Sequence, residues 1–179
     1  MAKENISDKF INIMQNMYSN LSVQVILPNG LSPSFMSKVG VKQGCNLSPT
    51  LFNIFINDLI SAFDSTEQSH DPTIGNLNIT CLLYADDLVL VSKTKQGLQN
   101  LLNTLEKYTT DWYMNINMKK TKCIIFGRKK DIKTQFYFGS TPVENCNNYT
   151  YLGIMLTVNG SLKNRIKNLE EKASKSMYG

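Results

Sequence analysis

The sequence predicts an α+β fold, a small antiparallel sheet with two or three helices packed on one face. Three observations carry that expectation. Apolar residues recur at helical spacing in four separated stretches, short apolar or aromatic runs end in glycine or asparagine turns, and one apolar run is interrupted by two adjacent aspartates. A chain of 179 residues is long enough for one domain with a sizeable core.

The elements follow in order. Residues 7–19 place Phe10, Ile13, Met14 and Met17 on one helical face, with Ser7 as its cap. Leu21 to Leu27 alternates as a strand, Pro28-Asn29-Gly30 bends it, and a second extended piece runs from about Phe35 to Val41. Ser48 as N-cap with Pro49 at the first helical position starts the next helix. Phe52, Phe55, Ile56, Leu59, Ile60 and Phe63 give it one continuous apolar face. Residues 64–76 are polar and loop-like, and a hairpin covers about 78–92. Leu98, Leu101, Leu102, Leu105, Tyr108 and Trp112 mark another amphipathic helix, which assigns Trp112 to the core.

Asn115 to Lys122 is polar and basic, and Cys123-Ile124-Ile125-Phe126 reads as a short strand ended by Gly127. Phe136 to Ser140 and Thr150 to Gly153 read as further strands with glycine turns, and Asn159-Gly160 as a turn. Leu162, Ile166, Leu169, Ala173 and Met177 mark a last amphipathic helix that reaches the final residue without a cap, so the chain is expected to stop within an element.

Charge is uneven. Residues 1–118 carry 7 Lys+Arg against 10 Asp+Glu, whereas residues 119–179 carry 12 against 4. A basic end suits a polyanionic partner, most often nucleic acid, although a solvated basic surface has the same composition. The four cysteines (Cys45, Cys81, Cys123, Cys146) show no Cys-x-x-Cys spacing and are expected to be free thiols in a reducing compartment. No secretory signal follows Met1, and no apolar segment is long enough to span a bilayer. An intracellular location, cytoplasm or nucleus, is the expectation.

The aspartate pair lies in Cys81-Leu82-Leu83-Tyr84-Ala85-Asp86-Asp87-Leu88-Val89-Leu90-Val91. So apolar a run reads as two buried strands with Asp86 and Asp87 at the bend. Ionised carboxylates in a dry interior need a partner, and a pair at a tight bend is a natural ligand set for a divalent cation. Aspartate is also a common turn residue, so an ordinary hairpin bend is the plainer reading.

Order along the chain separates the two. Gly40-Val41-Lys42-Gln43-Gly44-Cys45, then Ser48-Pro49 and Phe52-Asn53, precede Tyr84-Ala85-Asp86-Asp87. Trp112, Asn117-x-x-Lys120-Thr121-Lys122 and Tyr151-Leu152-Gly153 follow it. This series resembles the reverse transcriptases of non-LTR (LINE-type) retrotransposons, from about residue 10 to residue 179. The resemblance implies part of a polymerase palm over residues 1–157 and the start of a thumb or connection helix over 158–179. It implies an RNA-directed DNA polymerase that joins nucleotides by two-metal transfer with Mg²⁺ or Mn²⁺, on an RNA template and a DNA primer with deoxynucleoside triphosphates. Asp86 and Asp87 would be the catalytic, metal-binding pair.

By the same resemblance Gln43 and Gly44 line the template and nucleotide pocket, Lys120 neutralises or protonates pyrophosphate, and Tyr151, Leu152 and Gly153 grip the primer. Each also has a plainer reading, as a helix-entry turn, a solvated lysine, and a core strand with a glycine turn. Lys42 stands where relatives often carry arginine, which removes a bidentate contact, and Asn46 stands where proline is common. Arg128-Lys129-Lys130 and Lys133 are candidates for backbone phosphate contacts or for solvated surface. His70 receives no role.

The family also uses an aspartate in an Asp-x-x-x-Ala-Phe-Asp signature ahead of the Gln-Gly segment. Nothing in residues 1–39 matches it. Asp58-Leu59-Ile60-Ser61-Ala62-Phe63-Asp64 matches letter for letter, but it follows Gln43-Gly44 and has helical periodicity, so it is expected to be structural. Two aspartates from one bend do not fix two metals about 3.5–4 Å apart. These 179 residues alone are therefore expected to show little or no polymerase activity, and an open sheet edge beside the hairpin is expected to favour self-association. The alternative functions are a non-catalytic nucleic-acid-binding relic of a mobile element, using the basic C-terminal third, and a different two-carboxylate metal enzyme such as a nuclease.

Overall fold

The structure is a computed structural model and describes residues 6–37, 40–64, 72–127 and 134–160, with Glu170, Ala173, Ser174 and Met177. The expected last helix and the Arg128-Lys129-Lys130 and Lys133 cations lie largely or wholly outside the described residues, as does His70. The chain gathers into two compact units, Met1–Ile60 with Leu83–Leu88, and Ser61–Leu82 with Val89–Gly179.

In the first unit, α1 (Asp8–Tyr18) begins where expected, with the Phe10 N–H donating to the Ser7 hydroxyl at 3.4 Å. Of its apolar face only Met14 is buried; Phe10, Ile13 and Met17 stay 38–55% exposed. A two-tier ribbon follows. β1 (Ser22–Val23) pairs antiparallel with β4 (Phe35–Met36), and β2 (Ile26–Leu27) with β3 (Gly30–Leu31) across the Pro28-Asn29 bend. α2 (Ser48–Ile56) comes next. Ser48 does not cap it as expected. Ser48 is already helical, and its hydroxyl donates instead to the Lys42 carbonyl at 2.6 Å and lies 3.3 Å from the Tyr18 hydroxyl. A closer acceptor outside the helix has taken the hydroxyl from the helix end.

The expected single helix from Ser48 to Phe63 is broken at Asn57-Asp58, after which α3 spans Leu59–Asp64. The buried positions are Leu51, Ile56, Leu59 and Phe63, whereas Phe55 and Ile60 remain 39% and 46% exposed. All of the Asp58–Asp64 match to the polymerase signature except Asp58, which lies in the break, therefore sits on helix, as its periodicity requires.

In the second unit β5 (Thr73–Ile74) and β6 (Leu77–Asn78) form a small hairpin. α4 (Lys95–Asp111) starts with the Thr94 hydroxyl accepting from the Gly97 N–H at 3.0 Å. It packs on a three-stranded sheet of β9 (Lys122–Cys123), β10 (Phe136–Phe138) and β11 (Thr141–Asn145), in the order β10-β11-β9. The core there is Leu102, Cys123, Phe136 and Val143, with Leu90, Leu98, Met118, Ile125 and Phe138 against it. The Gln99 side-chain amide clamps the free edge of β10, donating to the Tyr137 carbonyl at 2.7 Å and accepting from its N–H at 3.0 Å. A last hairpin joins β12 (Asn148–Tyr151) to β13 (Ile154–Thr157).

The α+β class stands, but the single antiparallel sheet does not. Among the described residues, strands of two to five residues form six separate small sheets, and β11 pairs parallel with β9. Most strands close on their neighbour through a tight turn and are too short to offer a further ladder. The expected Cys123–Phe126 strand pairs only through Cys123. Just past β11, the Cys146 N–H donates to the Cys123 carbonyl at 2.9 Å. Trp112 is the C-cap of α4 and is 44% exposed, not core, because the helix ends one residue before it.

Candidate active site

The aspartate hairpin is present: β7 (Cys81–Tyr84) pairs with β8 (Asp87–Leu90), leaving Ala85 and Asp86 as its two-residue loop. Ala85 has φ +51, in the left-handed range that tight hairpin turns use at their first loop position. Glycine is the usual residue at that first position, so alanine there costs on the order of 1 kcal/mol.

The burial argument for the pair fails. Asp86 and Asp87 are both exposed, Leu82 is 48% and Tyr84 65% exposed, and β7 alternates between half-buried and exposed residues. Solvated carboxylates need no partner. What remains is donor chemistry: two adjacent carboxylates offer the hard oxygens that Mg²⁺ and Mn²⁺ take. Among the described residues no group of three Asp, Glu, His or Cys is gathered, so the pair fits part of a divalent-cation site and does not complete one.

Gln43 and Gly44 lie in the same unit as this hairpin tip. Both are exposed, on a turn that lines a cavity of about 320 Å³ with Lys42 and Cys45 on one side and Met17, Tyr18 and Leu21 on the other. Gly44 has φ +79, and a Cβ added there would meet nothing within 4 Å. Its backbone conformation requires glycine, and its Cα face is open to an approaching group. The α1 side of the cavity was not legible in the sequence, because only the fold brings residues some 25 positions apart to one wall.

Lys120 and the Tyr151-Leu152-Gly153 turn belong to the second unit. The Tyr149 hydroxyl donates to the Lys120 carbonyl at 3.2 Å, which fastens the lysine turn to β12 two residues before Tyr151. Leu152 and Gly153 carry φ +47 and +77, both positive as in a type I′ turn, and Leu152 is 48% exposed.

All four cysteines are free thiols. The Leu47 backbone N–H holds the Cys45 thiol below the ordinary thiol range, helped by Ser48 and the Tyr18 hydroxyl and opposed by burial. Burial, with the neighbouring Cys146, pushes Cys123 up to about 11. Alkylation by iodoacetamide, which needs the thiolate, should therefore modify Cys45 at lower pH than an ordinary thiol and leave Cys123 to the last. Cys123 also links folding to pH. Its folded value lies above its unfolded one, so its contribution is complete below the ordinary thiol range and fades as pH rises through about 11. Equal labelling of both thiols at pH 8, followed by mass spectrometry, would contradict this ranking.

A family profile described as "Reverse transcriptase (RNA-dependent DNA polymerase)" matches residues 3–156. The chain is 29% identical over 165 residues to the Retrovirus-related Pol polyprotein from type-2 retrotransposable element R2DM of Drosophila melanogaster, covering 86% of this chain and 15% of that protein. It is 25% identical over 138 residues to the RNA-directed DNA polymerase from mobile element jockey of the same species, covering 74% of this chain and 14% of that protein. A type-1 retrotransposable element R2 polyprotein of Popillia japonica is 26% identical over 174 residues, 93% of this chain and 28% of the relative. The chain belongs to the reverse transcriptase family. The likeness to non-LTR retrotransposon enzymes read from the motifs holds, and the chain spans only a small part of these relatives' length.

Proposed function

We propose that this reverse transcriptase region is part of a palm, residues 1–157, running into a thumb or connection helix from residue 158. We propose that it contributes Asp86 and Asp87 to RNA-directed DNA synthesis. The observation that carries the reading is the Tyr84-Ala85-Asp86-Asp87 hairpin, whose two-residue loop leaves both carboxylates in solvent at the end of a strand pair. Divalent ions held there would supply Lewis acidity to the attacking hydroxyl and the leaving pyrophosphate.

The protein's own part is positioning and charge. Asp86 and Asp87 offer hard oxygen ligands for a divalent cation at a short, tight turn. Gln43 and the open face of Gly44 receive the template base and incoming nucleotide, while Lys120 meets phosphate charge. Tyr151, Leu152 and Gly153 hold the primer strand. Nucleotidyl transfer asks mainly for this kind of placement. The partners would be an RNA template, a DNA primer and deoxynucleoside triphosphates. Free thiols suit action inside the cell, and among the described residues no helix is long and apolar enough to cross a membrane. Self-association, expected from the sequence, would read out as concentration-dependent mass in sedimentation.

One observation favours the second reading, a nucleic-acid-binding relic without catalysis: no third ligand group stands with Asp86 and Asp87 among the described residues. Anisotropy of a labelled RNA–DNA primer–template at about 50 and 200 mM salt tests both, since phosphate contacts lose affinity steeply over that range. Salt-sensitive binding that weakens on magnesium removal or Asp87→Ala supports the catalytic reading. Binding indifferent to both supports the relic, and no binding at low salt sinks both.

A further inference from the structure

Helix α4 ends in a Schellman motif: the Met114 N–H donates to the Thr109 carbonyl at 2.8 Å and the Tyr113 N–H to the Thr110 carbonyl at 3.3 Å. Tyr113, just past the cap, has φ +54. That position ordinarily takes glycine or asparagine, because a Cβ in the left-handed region crowds the backbone. Burial does not offset the strain, since the Tyr113 side chain is 94% exposed. A large aromatic ring is thus held in water at a site where folding alone favours glycine.

The sequence that follows it is one-sided in charge. Between Asp111 and Asp131 the sequence has six cations and no carboxylate. Lys122 is tied to Glu144, whereas Lys119 and Lys120 are exposed on a turn closed by the Lys120 N–H on the Asn117 carbonyl at 3.0 Å. The Tyr149 hydroxyl fastens this turn to β12.

We propose that Tyr113 is a stacking platform for an unpaired base of a single-stranded nucleic acid whose phosphates run over Lys119 and Lys120. A stacked ring with nearby cations is the arrangement that binds single strands with little regard for sequence, and a polyanion matches a stretch without carboxylates. The proposal rests on the nucleic-acid function above, but its contact lies outside the aspartate hairpin and the Gln43-Gly44 cavity.

The test uses the whole chain, a labelled single-stranded oligouridylate, and the Tyr113→Gly and Tyr113→Phe variants. Tyr113→Gly should bind roughly 5- to 100-fold more weakly, yet melt about 2–4 °C higher through relief of strain. Tyr113→Phe should match the wild type in both. Lys119→Ala with Lys120→Ala should flatten the salt dependence, which Tyr113→Gly leaves unchanged. Equal binding by Tyr113→Gly overturns the platform while leaving the primer–template reading intact. A lower melting temperature for Tyr113→Gly shows a packing role and overturns it too. So does displacement of the oligonucleotide by polyglutamate at equal charge, which would mark a surface for acidic protein.

Discussion

Phe63→Ala is expected to destabilise the chain by about 3–5 kcal/mol, the range for deleting a fully buried phenylalanine. Phe63 is 1% exposed and Leu59, one turn earlier, is 2% exposed. α3 is only six residues long, well short of what holds a helix in water unaided. Its stability comes from burying those two side chains, so truncating one loses both the helix and the packing. Set against a typical total of about 5–15 kcal/mol, the loss is large enough to leave much of the chain unfolded near body temperature. Urea denaturation followed by circular dichroism checks it. Phe55→Ala, at a position 39% exposed, is the control and should cost far less. Equal effects from the two substitutions would show that the buried face of this segment is not the one described.

The second large effect is chemical. In a protein that carries these residues together with an upstream Asp-x-x-x-Ala-Phe-Asp strand, Asp86→Asn is expected to lower primer extension on RNA by about 10³-fold or more. Charge stabilisation of several kcal/mol is at stake when a metal-holding carboxylate is neutralised. Both aspartates are exposed and the amide is isosteric, so the melting temperature should hardly move. The 179 residues by themselves should extend a primer barely or not at all, because two adjacent carboxylates at one hairpin end do not hold two ions. Robust extension by this chain alone, lost in Asp86→Asn, would mean that a third ligand comes from within it.

The local devices were legible in advance. Ser7 caps α1, Pro28-Asn29 turns a hairpin, and Leu102 and Leu105 are buried on α4 as their spacing requires. The expectations that failed turned on which partner a group finds and where an element stops. Ser48 was lost as a cap to the Lys42 carbonyl, and Trp112 was left outside the core by the early end of α4. The apolar aspartate run reads as two buried strands, but periodicity carries no information about whether a second layer covers a hairpin.

Strain was equally hidden. Ala85, Tyr113 and Leu152 look ordinary as letters, and nothing in their neighbours announces a left-handed backbone. Two of the three lie within the motifs on which the function rests, where stored strain is a pointer to use.

By itself the sequence determined the family and the order of the motifs, because those depend on residue type and spacing alone. The tertiary structure alone decided that the carboxylates stand in water and that Tyr18 and Met17 face Gln43-Gly44 across a cavity. It alone decided that a tyrosine occupies a glycine position and stands in water, with exposed Lys119 and Lys120 following it in the chain. Solvent exposure and long-range neighbours are set by how elements pack, and no local pattern of side chains encodes that packing.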